Sequence, residues 1–151
     1  MMKLEEFKEF DKLKTKVLKY IMFKKRTEQE VRQKFREDRG ELLNDVIEEL
    51  KELNYINDES YITRSINEFK NLKNMSIKEI EYKLMTKGLK NDIISEYIYS
   101  NKEELLEYEL KSARNIFIKK QNVLEKEEII NYLKKKGYLS ETIKIALEEL
   151  N

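Results

Sequence analysis

The sequence predicts an all-α protein, a tandem array of three three-helix, helix-turn-helix-like repeats, about nine helices in an elongated and curved arrangement. Three observations point there. The 151 residues include no proline and three glycines, so the residues that punctuate β-rich chains are nearly missing. Leu, Ile, Glu and Lys dominate, and these favour helices. Finally, the segment KLMTKGL (Lys83–Leu89) returns as YLKKKGY (Tyr132–Tyr138), 49 residues further on.

That shift of 49 residues aligns whole segments. Ser76 falls on Glu125, Ile80 on Ile129, Leu84 on Leu133, Gly88 on Gly137 and Ile94 on Ile143; in the other direction Thr27, Val31 and Phe35 fall on Ser76, Ile80 and Leu84. Apolar residues four apart share one helix face. Each repeat opens with a longer helix, at roughly 4–24, 58–72 and 103–120 by its apolar period. The second helices begin at Thr27-Glu28-Gln29-Glu30 and Ser76-Ile77-Lys78-Glu79, both S/T-x-x-E boxes in which hydroxyl and carboxylate satisfy free N–H groups. The third copy, Glu125 to Glu128, lacks the hydroxyl but keeps negative charge where the helix dipole favours it. Gly88 and Gly137 stop these helices, and Leu89 and Tyr138 are expected to fold back onto the last turn. Asn44-Asp45-Val46-Ile47, Asn91-Asp92-Ile93-Ile94 and Ser140-Glu141-Thr142-Ile143 open the third helices with similar caps. The first-to-second offset drops to 47 here, which places two extra residues around Arg39-Gly40-Glu41. The expected repeats are 1–56 (with an N-terminal helix extension), 57–101 and 102–151. Internal periods of this size mean stacked units that bury faces against their neighbours.

Several functions are excluded or disfavoured. There is no cysteine and no histidine. That removes a disulfide framework, a thiolate nucleophile, Cys- or His-based metal sites and the usual general base near neutral pH. No Gly-rich phosphate loop or calcium loop is present. Carboxylate pairs such as Glu103-Glu104 and Glu127-Glu128 are numerous, and nothing singles one out. The expectation is a non-enzyme without cofactors or metals. No apolar run reaches membrane-spanning length, and Met1 to Asp11 carries acidic residues and no signal-peptide core. A cytoplasmic monomer is expected.

Net charge is only +1, but charge alternates along the chain. Lys12–Arg36 holds ten basic and two acidic residues, and Glu37–Glu59 two and nine. Arg64–Lys90 holds seven and three, Asn91–Glu109 one and six, Lys111–Lys136 eight and three, and Glu141–Glu149 one and three. The expectation is that helices one and two of each repeat are basic and helix three acidic. In register, such units build a basic stripe, which attracts phosphate backbones, and an acidic one, which suits basic protein surfaces. Alternatively, the two neutralise each other across helix contacts. The candidate partner-binding cations are Lys24, Lys25, Arg26, Arg32, Arg36, Lys73, Lys78, Lys83, Lys87, Lys119, Lys120, Lys134, Lys135 and Lys136, with Thr27, Ser76, Gly88 and Gly137 as structural caps. The triplets Lys24–Arg26 and Lys134–Lys136 end helices, so they also serve the dipole. A DNA-reading helix would expose Arg, Asn or Gln. Gln29, Arg32, Gln33 and Arg36 fit that pattern, whereas Lys78, Glu79, Glu81 and Tyr82 fit it poorly.

The ordered segments VLKYIMFKKRTEQEVRQKF, LKELNYINDESYITRSI, IKEIEYKLMTKGLKNDII and EIINYLKKKGYLSETIKIAL resemble the RecX family, regulators of the bacterial recombinase RecA. The likeness runs from about Val17 to Leu150. It is most specific at Leu53–Tyr61, at I-x-x-x-L-x-x-K-G (Ile80–Gly88) and at L-x-x-K-G-Y (Leu133–Tyr138). The resemblance implies tandem three-helix repeats and a non-enzymatic protein. Its partner would be the RecA filament on single-stranded DNA, in whose helical groove it lodges. It would inhibit strand exchange, ATP hydrolysis and co-protease action, and so modulate DNA repair, homologous recombination and the SOS response. Two stretches depart from the family pattern. Asn57-Asp58 followed by Tyr61-Ile62 stands where paired aspartates and Phe-Ala are usual, and Phe69–Met75 lacks the commoner basic segment and glycine. A free-standing nucleic-acid-binding module and an adaptor for another protein are the alternatives.

Overall fold

The computed structural model describes residues 3–37 and 40–150. The described residues form nine helices and no strand: α1 Leu4–Phe23, α2 Glu28–Lys34, α3 Glu41–Glu52, α4 Asp58–Leu72, α5 Ile77–Thr86, α6 Asn91–Ser100, α7 Lys102–Lys120, α8 Lys126–Lys135 and α9 Ser140–Glu149. The all-helical expectation holds. The long first helices lie within one residue of their expected bounds.

The chain divides into two compact units, residues 1–61 with Lys87–Leu89, and 62–86 with 90–151. In the first unit α1 packs against α3. Leu13, Val17 and Ile21, each four residues apart, meet Val31 of α2 and Val46, Ile47 and Leu50 of α3 in one core. In the second unit α7 packs most extensively against α9 and also touches α5, α6 and α8. Ala113 and Phe117 of α7 meet Ile129 and Leu133 of α8, and Ile143 and Ala146 of α9. A fully buried Leu or Ile stabilises by about 1.5–3 kcal/mol, so these stripes outweigh any surface ion pair.

Both sequence-predicted capping boxes form. Thr27 Oγ1 accepts from the Glu30 N–H at 3.1 Å, and Glu30 accepts from the Thr27 N–H at 3.0 Å. Ser76 and Glu79 repeat the pair at 3.0 Å each way. The third copy keeps more of the box than expected, because Glu128 still accepts from the Glu125 N–H at 3.2 Å. A carboxylate can reach back without a hydroxyl partner.

Three expectations need correction. First, α3 starts at Glu41 on Gly40 (φ 89°), three residues before Asn44. Asn44 caps nothing, and its Oδ1 accepts from Arg32 Nη2 at 3.1 Å. Asn91 and Ser140 are likewise first helical residues, with Lys90 and Leu139 at the cap positions and no side-chain cap. Secondly, Lys24 is already extended (φ −159°, ψ 141°) and α1 carries no basic residue in its last turn. The Lys24–Arg26 triplet therefore lies past the helix end. Thirdly, the charge boundaries do not follow the helices. They fall inside α1 and α7, where acids such as Glu5, Glu6, Glu103 and Glu104 lead and Lys16, Lys19, Lys119 and Lys120 follow. That order matches the helix macrodipole, with acids at the N-terminus and cations toward the C-terminus. Arg39, placed in the two-residue insertion, lies outside the described residues.

Candidate functional site

The recurring lysine-glycine segments are more than helix stops. Gly88 and Gly137 take φ of 83° and 91°, a region that costs other residues roughly 1–2 kcal/mol. Each also abuts the first turn of a helix from the preceding copy. A β-carbon on Gly137 would lie 2.8 Å from Lys78 Cβ, and one on Gly88 would run into the Gln29 side chain more closely still. Beside each glycine the cap hydroxyl donates across: Thr27 Oγ1 to the Lys87 carbonyl at 2.7 Å, and Ser76 Oγ to the Lys136 carbonyl at 2.6 Å. The caps Thr27 and Ser76 therefore bond twice, once within their helix and once to a segment 60 residues away.

A carboxylate completes each junction. Asp58 accepts from the Glu28 N–H at 3.0 Å in the first unit. In the second, Glu109 accepts from the Ile77 N–H at 3.0 Å and from Thr142 Oγ1 at 2.6 Å. Glu109 is 0% exposed, and composition did not single it out. Its register could have done so. Leu105, Glu109, Ser112 and Ile116 follow an i, i+4, i+7, i+11 stripe, which puts a carboxylate on the apolar face of α7.

The sequence-predicted cations separate into three groups. In the first unit, Arg26 stacks on Tyr20 at 4.2 Å from the ring centroid, and Lys34 stands 5.7 Å from the same ring. Arg32 is tied to Glu28 at 3.0 Å and to Asn44. Burial pushes the Glu28 carboxyl up, but hydrogen bonds from Lys51 and Arg32, with the charges behind them, outweigh burial and hold it below the ordinary range. Lys24, Lys25, Arg36 and Lys87 are exposed.

In the second unit, Lys73, Lys83, Lys119 and Lys120 converge on one open groove of about 720 Å³. Its walls come from the α4–α5 turn, α5, the end of α7 and α8. The turn is fastened from beneath. The Tyr108 hydroxyl donates to the Lys73 carbonyl at 2.5 Å and accepts from the Met75 N–H at 3.1 Å. Burial raises that phenol's pKa and keeps it a donor. Asn115 Nδ2 donates to Asn74 Oδ1 at 3.1 Å. Lys73 and Lys83 stand 6.0 and 5.7 Å from the Phe69 ring, and Lys120 stands 4.5 Å from Tyr132. The rim carries Leu72 and Val123, 72% and 81% exposed, which the sequence reading passed over. Both sit at element ends, where no periodicity marks a face.

A second, shallower depression of about 630 Å³ gathers Lys78, Lys135 and Lys136 around Gly137, with exposed Tyr82 and Met85. Lys134 and Lys135 lie in the last turn of α8, where they complement its dipole as expected. Among the described residues, no cluster of metal-ligating side chains occurs and no helix is long and apolar enough to cross a membrane.

No protein-family model matches the chain. It is 33% identical to the regulatory protein RecX of Lactococcus lactis subsp. cremoris over 97% of its own length and 59% of that protein's. It is 31% identical to the regulatory protein RecX of Streptococcus agalactiae over 98% of its length and 60% of the relative's. The chain thus spans about three-fifths of the curated relatives it matches. Its fold is similar to the crystal structure of RecX from Lactobacillus salivarius, with a TM-score of 0.79 at 22% identity over 93% of this chain and 96% of that one. A second crystal structure of a regulatory protein RecX superposes with a TM-score of 0.77 at 19% identity, over 92% of this chain and 73% of the other.

Proposed function

We propose that this chain is a member of the RecX family and that it binds the RecA recombinase filament on single-stranded DNA and restrains it. The expected effects are inhibition of recombination, ATP hydrolysis and co-protease action. The observation that carries this reading is the convergence of Lys73, Lys83, Lys119 and Lys120 on one groove in a chain whose net charge is only +1. Such local concentration suits an anionic partner surface. The protein acts by binding, without catalysis or cofactor, as a cytoplasmic monomer of three repeats (1–56, 57–101 and 102–151). The test is RecA's single-stranded-DNA-dependent ATPase with and without the protein. Dose-dependent inhibition together with co-sedimentation supports the reading; loss of both sinks it.

The same lysines favour a second reading, a nucleic-acid-binding module that acts without RecA. That module would bind an oligonucleotide alone, with affinity falling steeply as salt rises. An adaptor for a different protein would show neither behaviour.

A further inference from the structure

We propose that the groove of the second unit is a docking site for an acidic protein segment carrying an apolar anchor, rather than a track for the phosphate backbone. The inference rests on the filament reading only for its choice of natural partner. Lys73, Lys119 and Lys120 line the groove from two different elements, and the one carboxylate among its lining residues, Glu79, is engaged with the Ser76 N–H. The occupant must therefore be acidic. Non-specific single-strand sites stack bases on open aromatic faces. The one aromatic ring that lines this groove, Tyr132, has the Lys120 ammonium 4.5 Å from its centroid. What the rim offers instead is aliphatic, Leu72 and Val123, both largely exposed. Cationic walls with an aliphatic rim match an amphipathic acidic segment, whose carboxylates meet the lysines while a leucine-sized side chain covers the rim.

The experiment uses fluorescence anisotropy on the full chain, with a labelled peptide of about twelve residues, mostly glutamate, with leucines four apart. An all-glutamate peptide and an oligothymidylate of equal charge are the competitors. The leucine peptide should bind about tenfold more tightly than either. Lys119→Glu with Lys120→Glu should weaken it about tenfold, and Lys73→Glu, on a different element, serves as an independent second variant. Leu72→Ser with Val123→Ser should abolish the preference for leucine while sparing all-glutamate binding. The proposal fails if oligothymidylate binds as tightly and ignores the Leu72/Val123 change, which would make this a phosphate site. It also fails if sedimentation shows that the groove holds a second copy of the chain. Co-sedimentation with RecA filaments, run in parallel, separates the two ideas. Filament binding untouched by the lysine variants removes the groove and leaves the filament reading. Peptide binding without filament binding removes the filament reading and leaves the groove.

Discussion

The Lys87–Leu89 turn and the Lys136–Tyr138 turn close onto the same kind of helix start, but the carboxylate behind each works in different surroundings. At the first turn, Asp58 is half-buried, and the neighbouring Glu28 forms ion pairs with Arg32 and Lys51 at 3.0 Å each. At the second, Ile77 replaces that glutamate, and fully buried Glu109 holds Ile77 and Thr142 by hydrogen bonds. One geometry is thus held by partly solvated charge and the other by a desolvated network. Solvated pairs are screened by salt, whereas a buried acceptor leaves its donors stranded if removed.

The sharpest way to break the comparison is Glu109→Ala. Three donors, the Ile77 and Leu139 N–H groups and the buried Thr142 hydroxyl, would lose their acceptor, so we expect a loss of about 3 kcal/mol or more in urea unfolding. Glu109→Gln, which keeps one carbonyl oxygen, should lose less. If alanine is tolerated within half a kcal/mol or so, the network is not what holds the second turn.

Next come the glycines. Gly88→Ala and Gly137→Ala each combine positive φ with a collision, so each should cost roughly 2–3 kcal/mol. Gly40 also has positive φ, but nothing lies within 4 Å of its would-be β-carbon, so alanine there should cost only about 1 kcal/mol. Equal losses at all three would mean that backbone strain alone matters and that the contacts with Gln29 and Lys78 do not. Thr27→Ala and Ser76→Ala should each lose about 1–2 kcal/mol, read as faster local amide exchange at residues 30 and 79.

The smallest effect belongs to Glu28. Its folded pKa lies below the ordinary 4.5, with burial opposed by Lys51 and Arg32. Its stabilisation is therefore present above about pH 4.5 and lost as pH falls through the lower folded value. Glu28→Gln should cost less than about 1 kcal/mol at neutral pH, and the difference from the unaltered chain should vanish in high salt or acid. A Glu28 effect that survives high salt would erase the distinction between the two turns.

Most of the fold was legible because it is written locally. Leu13-Val17-Ile21 and Ile129-Leu133 are spaced for helices, and Thr27 and Ser76 cap as S/T-x-x-E demands. What was illegible is non-local. Nothing near Gly137 announces Lys78, and nothing near Thr27 announces Lys87. Asn44 looked like a cap because asparagine usually is one, but Gly40 had already started α3. The site was legible as a set of cations and not as a place. Lys73, Lys83, Lys119 and Lys120 meet only after α4, α5, α7 and α8 have packed, whereas Arg26 and Arg32 were indistinguishable from them until Tyr20 and Glu28 were seen to hold them.

The two cap-to-carbonyl bonds have a bearing on folding kinetics. Each closes a span of 60 residues, far longer than any helix among the described residues. Helices can form in about a microsecond, but these bonds wait for the chain to find itself. Closing so long a loop carries an entropic penalty that grows with the logarithm of its length. The rate-limiting event is therefore expected to be the seating of each glycine turn on its distant helix start, with the individual helices already flickering in and out. During synthesis the same bonds set a schedule, because the first cannot close before Lys87 has emerged and the second cannot close before Lys136.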